Sequence, residues 1–443
     1  MAEKDKKMKK VLWICNIMLP AVARKLSLPY SNREGWLSGI FDRITEKKGE
    51  IEISVCFPIG KLTAKEEELL SGLTVNGAKC YGFHENLNTP EIYDSGLERE
   101  FREIFEKTEP DMIHIFGTEF PHALAVARAF GKPERTLVGI QGLCYEIAKV
   151  YMAGLPEEVQ RKVTFRDFLR RDSLKQQQEK FYLRGKNEIE AISLAGHITG
   201  RTRFDREGTS RINGKALYHS MNETMRSSFY EGMWDPEACE KHSIFLGQGD
   251  YPLKGFHFLL QAMPEILKKY PDAMLYVSGN SVISHQTVRE KIKLPAYGKY
   301  LLSLIKSYHL EDRVVMLGKL SEEEMKQQFL KSNVFVCASV LENSPNTVGE
   351  AMLLGVPVVA SRAGGIPDMI TDGSEGLLFE TGNPADLASA VDKVFSQEKD
   401  AEGDTLAVRI SKAERKRAKN AHDGETNYRR LLEIYGDILG AKV

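Results

Sequence analysis

Residues 339–370 read SVLENSPNTVGEAMLLGVPVVASRAGGIPDMI. An apolar strand leads into a polar loop, a helix follows, and a second apolar strand begins at Pro357. We expect Ser344 to be the helix N-cap and Pro345 to occupy the first helical position, where its missing N–H costs nothing. Gly355 suits the left-handed residue that ends many helices. This order of elements predicts a parallel sheet covered by helices.

The same alternation of short β-branched runs with longer helical stretches extends along the chain and predicts an α/β fold. The strands expected in the first half are 11–17, 51–57, 112–116, 137–141 and 197–201. Those expected in the second half are 243–248, 274–278, 314–317, 334–339, 357–361 and 376–379. Residues 218–241, between the two sets, show no clear strand. We therefore place a domain boundary there.

Length and charge limit the possible classes of protein. The chain has 443 residues, about twice what one hydrophobic core usually supports, so two domains are expected. Its 61 Lys and Arg residues nearly balance 62 Asp and Glu residues. A globally basic nucleic-acid-binding protein is therefore excluded, and no nucleic acid is expected as a partner.

The N-terminal apolar run and the cysteines favour a cytoplasmic protein. Residues 11–23 carry no charge, but a transmembrane helix needs about 20 apolar residues. A signal peptide is the alternative, although VLWICNI is rich in strand-forming residues and no small-x-small cleavage pattern lies nearby. The six cysteines are far apart and include no C-x-x-C pair, which favours reduced, mostly buried thiols over a zinc site or disulfides.

A basic segment lies between Arg161 and Lys186 in the first half. It contains nine Lys or Arg residues against three acids, Asp167, Asp172 and Glu179. One interpretation is a solvated helical face. The other is peripheral contact with an anionic membrane surface, at its inner face, or with a phosphate-bearing acceptor.

The helix within 339–370 carries a candidate anion site. Its N-terminus should lie at the carboxyl edge of the sheet, with free N–H groups near Asn346, Thr347 and Val348 that suit a phosphate. Glu342 and Glu350 bracket this helix start, and carboxylates accept hydrogen bonds from sugar or ribose hydroxyls. The alternative is that Glu350 is a surface helix residue and Glu342 a loop residue.

A second segment, IFLGQGDYPLKGFHFLLQAMPEIL at residues 244–267, adds a lysine. Lys254 is expected to open an amphipathic helix, and at a helix N-terminus its charge opposes the helix dipole by roughly 0.3–1 kcal/mol. A bound anion would remove this conflict. A solvated lysine at the end of a loop is the alternative interpretation.

These motifs resemble the nucleotide-sugar half of retaining glycosyltransferases of family 4. The resemblance rests on Glu342 and Glu350 in an E-x7-E arrangement, on the sequence EAMLLGVPVVASRAGGIPDMI that includes Glu350, and on Lys254 followed by Gly255. It covers residues 244–381. The first half matches more loosely, at Gly35-Trp36 and in the sequences DMIHIFGTE and GIQGL.

The resemblance implies the GT-B architecture, two Rossmann-like domains facing across a cleft. We accordingly expect an acceptor-side domain at 1–230 and a nucleotide-sugar-binding domain at 231–423. A C-terminal helix at 424–443 would pack back on the first domain.

The resemblance also implies roles for individual residues. Lys254 would neutralise the donor diphosphate and Glu342 would contact the donor sugar, which makes these two the catalytic candidates, while Glu350 would hold the ribose. The other donor-binding candidates are Gly35, Trp36, Gln248, Asn346, Thr347 and Val348.

The sequence departs from the family pattern at two positions. Gln248 replaces the arginine that usually follows glycine after the first strand of the second half, and Gln141 replaces a histidine that often faces the cleft. His114 lies nearby in sequence and, because it is on a strand, is either a structural or an acceptor-side residue. The acceptor-side candidates are Gln141, His114 and Glu119.

The implied function is transfer of a sugar from a nucleotide-diphosphate sugar to a glycan or lipid-linked glycan, in cell-surface polysaccharide biosynthesis. No D-x-D sequence occurs, so neither a metal nor another cofactor is expected, and Lys254 with the helix dipole would replace the metal. Two alternatives stay open. One is a nucleotide-sugar epimerase of the same fold, and the other is a non-catalytic nucleotide-sugar-binding subunit, which Gln248 and Gln141 make conceivable.

Overall fold

The computed structural model describes residues 8–28, 35–47, 51–60 and 62–440. The chain divides into two units, each built on its own sheet. The first unit comprises Met1–Glu146, Lys180–Arg226 and His422–Val443. The second comprises Ile147–Glu179 and Ser227–Ala421.

The elements follow the predicted alternation of strands and helices. The strands are β1 Lys9–Cys15, β2 Ile51–Ile59, β3 Thr74–Val75, β4 Ala78–His84, β5 Met112–Phe116, β6 Thr136–Gly139, β7 His197–Gly200, β8 Leu217–Ser220, β9 Glu240–Leu246, β10 Met274–Ser278, β11 Val314–Gly318, β12 Ser332–Cys337, β13 Val358–Ser361 and β14 Leu377–Phe379. The helices are α1 Pro20–Leu26, α2 Gly35–Glu46, α3 Ala64–Leu70, α4 Gly96–Thr108, α5 His122–Phe130, α6 Cys144–Val150, α7 Glu157–Arg161, α8 Phe165–Arg170, α9 Leu174–Ser193, α10 Arg203–Ile212, α11 Phe256–Lys269, α12 Val288–Ile292, α13 Ala296–Ser307, α14 Glu322–Lys331, α15 Asn346–Leu354, α16 Ile366–Met369, α17 Pro384–Phe395, α18 Leu406–Ala421 and α19 Gly424–Leu439.

The sheet of the first unit has the order β3-β4-β2-β1-β5-β6-β7-β8. Its pairs are parallel except β3 with β4. The N-terminal apolar run forms the inner strand β1, in which Trp13 pairs with Val55 on one side and His114 on the other. Burial on both faces explains why this run is continuously apolar.

Each predicted strand is confirmed within three residues at either end, but β3, β4 and β8 were missed. Strand β4 mixes buried, half-buried and exposed residues and contains Gly82, so it lacks the continuous apolar run used to find the others. Strands β3 and β8 have only two and four residues.

The second sheet has the order β11-β10-β9-β12-β13-β14, with every pair parallel. The neighbours β9, β12 and β13 therefore end at the same edge of the sheet. The loops that follow these three strands carry the candidate residues of the second unit.

The unit boundaries differ from the predicted domains. Ile147–Glu179 groups with the second unit, although it lies within the predicted domain 1–230. Two close contacts explain this grouping: Gly154 packs where an added Cβ would lie 2.2 Å from Phe258 Cζ, and Asp167 accepts a hydrogen bond from the Ala296 N–H at 3.0 Å. The other boundaries fall at 226/227 and 421/422 rather than 230/231 and 423/424.

The C-terminal helix α19 belongs to the first unit. Its residues Leu431 and Tyr435 are fully buried in the same apolar cluster as Trp13. Glu425 at its start also pairs with Arg43 on α2, at 3.3 Å. This helix therefore completes the core on one face of the first sheet.

The cysteine side chains are all buried free thiols, as predicted. Among the helices that the structure describes, none is both long and apolar enough to cross a membrane.

Candidate active site

Backbone hydrogen bonds fasten three loops together at the carboxyl edge of the second sheet. The Val340 N–H, after β12, donates to the Leu253 carbonyl, after β9, at 2.8 Å. The Gly365 N–H, after β13, donates to the Glu342 carbonyl at 3.0 Å. The backbone on either side of Lys254 and Glu342 is thus held in place before any ligand contributes.

Lys254 and Glu342 form an ion pair at the centre of these loops. Lys254 Nζ lies 2.5 Å from Glu342 Oε1, and Ser339 Oγ donates to the same oxygen at 2.7 Å. The two charged side chains are only 22% and 14% exposed. Burial lowers the pKa of Lys254, but the Glu342 carboxylate and the Tyr251 hydroxyl outweigh burial and raise that pKa above its ordinary value. The ammonium therefore stays charged throughout the physiological range.

The predicted conflict between Lys254 and a helix dipole has a different resolution. Lys254 ends a 3₁₀ turn, Pro252–Lys254, and helix α11 begins at Phe256 with Gly255 as its N-cap. The carboxylate of Glu342 already balances the lysine charge. No bound anion is needed to explain its position.

Two glycines allow the loops to approach this closely. Gly255 has φ +68, and an added Cβ would lie 1.8 Å from the Ala338 carbonyl oxygen. Gly364 has φ +54, and its added Cβ would lie 2.0 Å from the Glu342 carbonyl oxygen. Both positions combine a left-handed backbone with a backbone contact that leaves no room for a side chain.

Helix α15 starts one residue later than predicted. Its N-cap is Pro345, whose ψ of 121 is extended, so the predicted cap at Ser344 is wrong. Pro345 offers no side-chain cap, and the Val348 N–H donates to its carbonyl at 3.0 Å, so the Val348 amide is already bonded. Asn346 Oδ1 is buried without a hydrogen-bond partner among the described residues, and Thr347 is half-buried.

Glu350 is 3% exposed on helix α15, so the alternative that it is a surface residue is wrong. A carboxylate is rarely buried without a specific interaction, because removing it from water is costly. Its burial sets it apart from the exposed acids of ordinary helical faces.

Sequence reasoning missed three side chains near the pair: Ser339, Tyr251 and Asp250. Ser339 donates to Glu342, and the Tyr251 ring centre lies 5.8 Å from Lys254 Nζ. Asp250 Oδ2 accepts a hydrogen bond from Asn280 Nδ2 at 2.8 Å, while its Oδ1 is buried without a partner in the described chain. In the sequence, the one feature that could have identified them is their place in the loops a few residues after a predicted strand. Gln248 lies half-buried in the same loop as Asp250.

The burial of His114 contradicts the prediction that this residue contacts the acceptor. It is fully buried inside strand β5, where its ring stacks near Phe116 at 3.8 Å between centroids and Nδ1 lies 2.8 Å from the Tyr435 hydroxyl. Burial lowers the pKa of His114 to about 3. This histidine is a neutral core residue.

We predict that His114 makes the protein sensitive to acid. The unfolded chain binds a proton below about pH 6.5 whereas the folded chain does not, so unfolding free energy should fall as pH drops from about 6.5 towards 3. In the His114→Phe variant the slope of unfolding free energy against pH should be smaller by about 1.4 kcal/mol per pH unit, which corresponds to one proton bound on unfolding. Chemical denaturation at several pH values measures the slope. Tyr435→Phe, which keeps the histidine, is the control, and an unchanged slope in His114→Phe would contradict the assignment.

Glu119 and Gln141 lie after strands β5 and β6 but in separate polar clusters. Glu119 Oε2 accepts from Asn16 Nδ2 at 3.0 Å, and burial raises the pKa of Glu119. Gln141 Nε2 donates at 3.1 Å to Glu223, which also pairs with Arg201.

The remaining donor-binding candidates, Gly35 and Trp36, are the first two residues of helix α2. Residues 29–34 before them lie outside the described ranges.

Comparisons with known proteins match this site region and the whole fold. Residues 238–417 match the family described as Glycosyl transferases group 1. The chain is 28% identical over 198 residues to spore coat protein SA of Bacillus subtilis strain 168, covering 44% of this chain and 48% of that protein. It is 35% identical over 98 residues to N-acetyl-alpha-D-glucosaminyl L-malate synthase of Bacillus anthracis, covering 22% and 25%.

The structure is similar to Alr3699/HepE of Anabaena in complex with UDP and glucose, with a TM-score of 0.65 and 16% identity over 97% of this chain and 100% of that one. This chain has the GT-B fold. The GT-B prediction made from the sequence is thereby confirmed. The matched stretches span less than half the length of the curated relatives. The family match lies in the second unit, at residues 238–417.

Proposed function

We propose that this protein is a retaining glycosyltransferase of family 4 that moves a sugar from a nucleotide diphosphate to a glycan or lipid-linked glycan. The observation that carries the proposal is the fixed Lys254 ammonium beside Glu342, at the edge where helix α15 begins. The group 1 match over this region and the UDP complex of the structural neighbour support it.

The proposed reaction breaks the bond between the anomeric carbon and a diphosphate oxygen and forms one to an acceptor hydroxyl oxygen. Negative charge develops on the leaving diphosphate, and the acceptor proton moves to its oxygen. Lys254 and the N–H groups at the start of α15 stabilise that charge, with Asn346 and Thr347 nearest the helix end. The buried ammonium needs no reorganisation when the charge appears.

In this proposal Glu342 has two tasks. It orients Lys254 in the free protein and contacts the donor sugar once the diphosphate shares the ammonium. We propose metal-independent transfer because Lys254 and the N–H groups at the start of α15 together stabilise the diphosphate, which is the task of a divalent cation in metal-dependent sites. Undiminished transfer in the presence of EDTA is the expected result.

The proposed acceptor is a glycan or lipid-linked glycan of cell-surface polysaccharide biosynthesis. In this proposal the glycan is assembled on the cytoplasmic side of the membrane. Glu119 and Gln141 are its candidate contacts in the first unit, because both follow strands at a carboxyl edge, and Gly35 and Trp36 are proposed to approach the donor. The similarity to a protein named spore coat protein SA supports this choice.

The test combines donor binding with product analysis. A thermal-shift panel of nucleotide sugars identifies the donor, and the protein is then incubated with that donor and an acceptor panel. Released nucleotide with an acceptor-bound sugar of unchanged anomeric configuration is expected. An isomerised nucleotide sugar from donor alone would favour the epimerase. Binding without transfer, unaffected by Glu342→Ala, would favour the non-catalytic subunit.

We predict that Glu350→Gln raises the donor KM by about tenfold with a smaller change in kcat, because a neutral amide makes weaker hydrogen bonds to the ribose hydroxyls than a carboxylate does. The amide keeps the volume of the buried side chain, so the fold should be retained. Steady-state kinetics with varied donor and varied acceptor measure the split. An effect confined to the acceptor KM would contradict the ribose assignment.

A further inference from the structure

An exposed apolar surface lies on helix α8 and on Val163, two residues before the helix begins, within the second unit. We call it the α8 surface, and it consists of Val163, Phe165, Phe168 and Leu169, whose exposed fractions are 56%, 63%, 72% and 63%. Large apolar side chains this exposed and this close together are uncommon on soluble proteins and mark interaction sites.

Basic residues flank the α8 surface, while its acids are turned inward. Asp167 is 1% exposed, Asp172 is half-buried, and Arg166 pairs with both at 3.0 Å. Arg161 is engaged by Glu157 on α7. The other bases of this stretch are all exposed, namely Lys162, Arg170, Arg171 and Lys175. The outward side therefore combines aromatic and positively charged groups, and the acids that would cancel the charge lie on the inward side.

The inward contacts also hold the helix in place. Asp167 forms a capping box with Thr164 and accepts the Ala296 N–H at the start of α13 at 3.0 Å. The exposed face is thus presented by an anchored helix.

Two further bases of the basic segment are paired with other parts of the chain, while Lys186 is exposed and its Nζ lies 4.5 Å from the centre of the Tyr182 ring. Lys180 pairs with Glu91 at 3.7 Å, and Arg184 donates to the Glu119 carbonyl at 2.7 Å. The membrane contact predicted for residues 161–186 is therefore assigned to residues 162–175, where exposed bases lie beside the exposed apolar side chains.

We propose that the α8 surface docks on an anionic lipid bilayer. Aromatic and aliphatic side chains enter the interface, and the flanking bases contact the lipid headgroups. The charge decides the partner, since exposed bases around an apolar centre complement a negatively charged surface. The inference goes beyond the proposed function and does not depend on it.

Co-sedimentation of the full chain with vesicles tests the proposal. Wild-type protein should bind vesicles of equal parts phosphatidylcholine and phosphatidylglycerol, and bind vesicles of phosphatidylcholine alone far less. The double variant Phe165→Ser, Phe168→Ser should bind the anionic vesicles about 100-fold more weakly, because two large apolar side chains no longer enter the interface. Lys162→Gln with Arg170→Gln should weaken binding about tenfold and reduce its dependence on salt.

The matched control is Ile92→Ser with Leu217→Ser, which removes two apolar side chains of similar exposure, 60% and 62%, outside the α8 surface. This control should bind as wild type does. The proposal would be overturned if wild-type protein did not bind anionic vesicles. It would also be overturned if the Phe165→Ser, Phe168→Ser variant bound them as tightly as wild type. A phenylalanine variant that changes a dimer into a monomer without any vesicle binding would overturn it as well, because the surface would then meet a second copy. No donor is present, so the result is independent of glycosyl transfer.

Discussion

Replacing Lys254 by alanine is expected to reduce kcat/KM for glycosyl transfer by about 100- to 1,000-fold. In the proposed reaction the ammonium stabilises the departing diphosphate, and a preorganised positive group in a partly dry site is typically worth this much. Its raised pKa keeps it charged at the pH of the assay. Donor affinity should fall as well, and isothermal titration with the donor found in the panel measures that part separately.

The control for this variant is Lys269→Ala. Lys269 also forms an ion pair, with Asp392 at 2.6 Å, but it lies at the far end of helix α11 and is 64% exposed. Its loss should leave activity unchanged. Because Lys254→Ala leaves Glu342 without its cation, chemical denaturation of the Lys254→Ala variant separates destabilisation from lost catalysis. Wild-type activity in a folded Lys254→Ala protein would remove the central assignment.

The strands were predictable because buried parallel strands have a local signature. Strand β5 and strand β10 were predicted at their observed bounds, since both are short apolar runs ended by turn residues. Strand β4 was not, because its pattern mixes exposed and buried positions around Gly82. Local composition finds apolar runs, including the edge strands β11 and β14, and misses strands that are very short or mix exposed with buried positions, as β3, β8 and β4 do.

The contacts that make the site were beyond sequence reasoning because they join distant parts of the chain. Lys254 and Glu342 are 88 residues apart and were assigned to different parts of the same donor, whereas the structure also pairs them with each other. Asp167 and Ala296 are 129 residues apart, and the hydrogen bond between them is one of the contacts that group Ile147–Glu179 with the second unit. The predicted N-cap failed for a local reason, since Pro345 has extended backbone angles that delay the helix by one residue.

Gly255→Ala is expected to destabilise the protein by about 3 kcal/mol or more and to weaken donor binding, because it strains the backbone directly beside Lys254. A left-handed φ alone costs an alanine roughly 1–2 kcal/mol. At Gly255 the added Cβ would also lie 1.8 Å from the Ala338 carbonyl oxygen, a contact that only a backbone shift relieves. Chemical denaturation and donor titration give the two effects.

The matched control for this variant is Gly318→Ala. Gly318 has a similar φ of +76, but an added Cβ there meets nothing within 4 Å. The difference in unfolding free energy between the two variants therefore isolates the clash from the backbone conformation. Gly255→Ala should unfold more easily by about 2 kcal/mol than Gly318→Ala and should alone lose donor affinity. Equal stabilities would mean that the loops after β9 and β12 can separate without cost, and the preorganised position of Lys254 would then no longer explain catalysis.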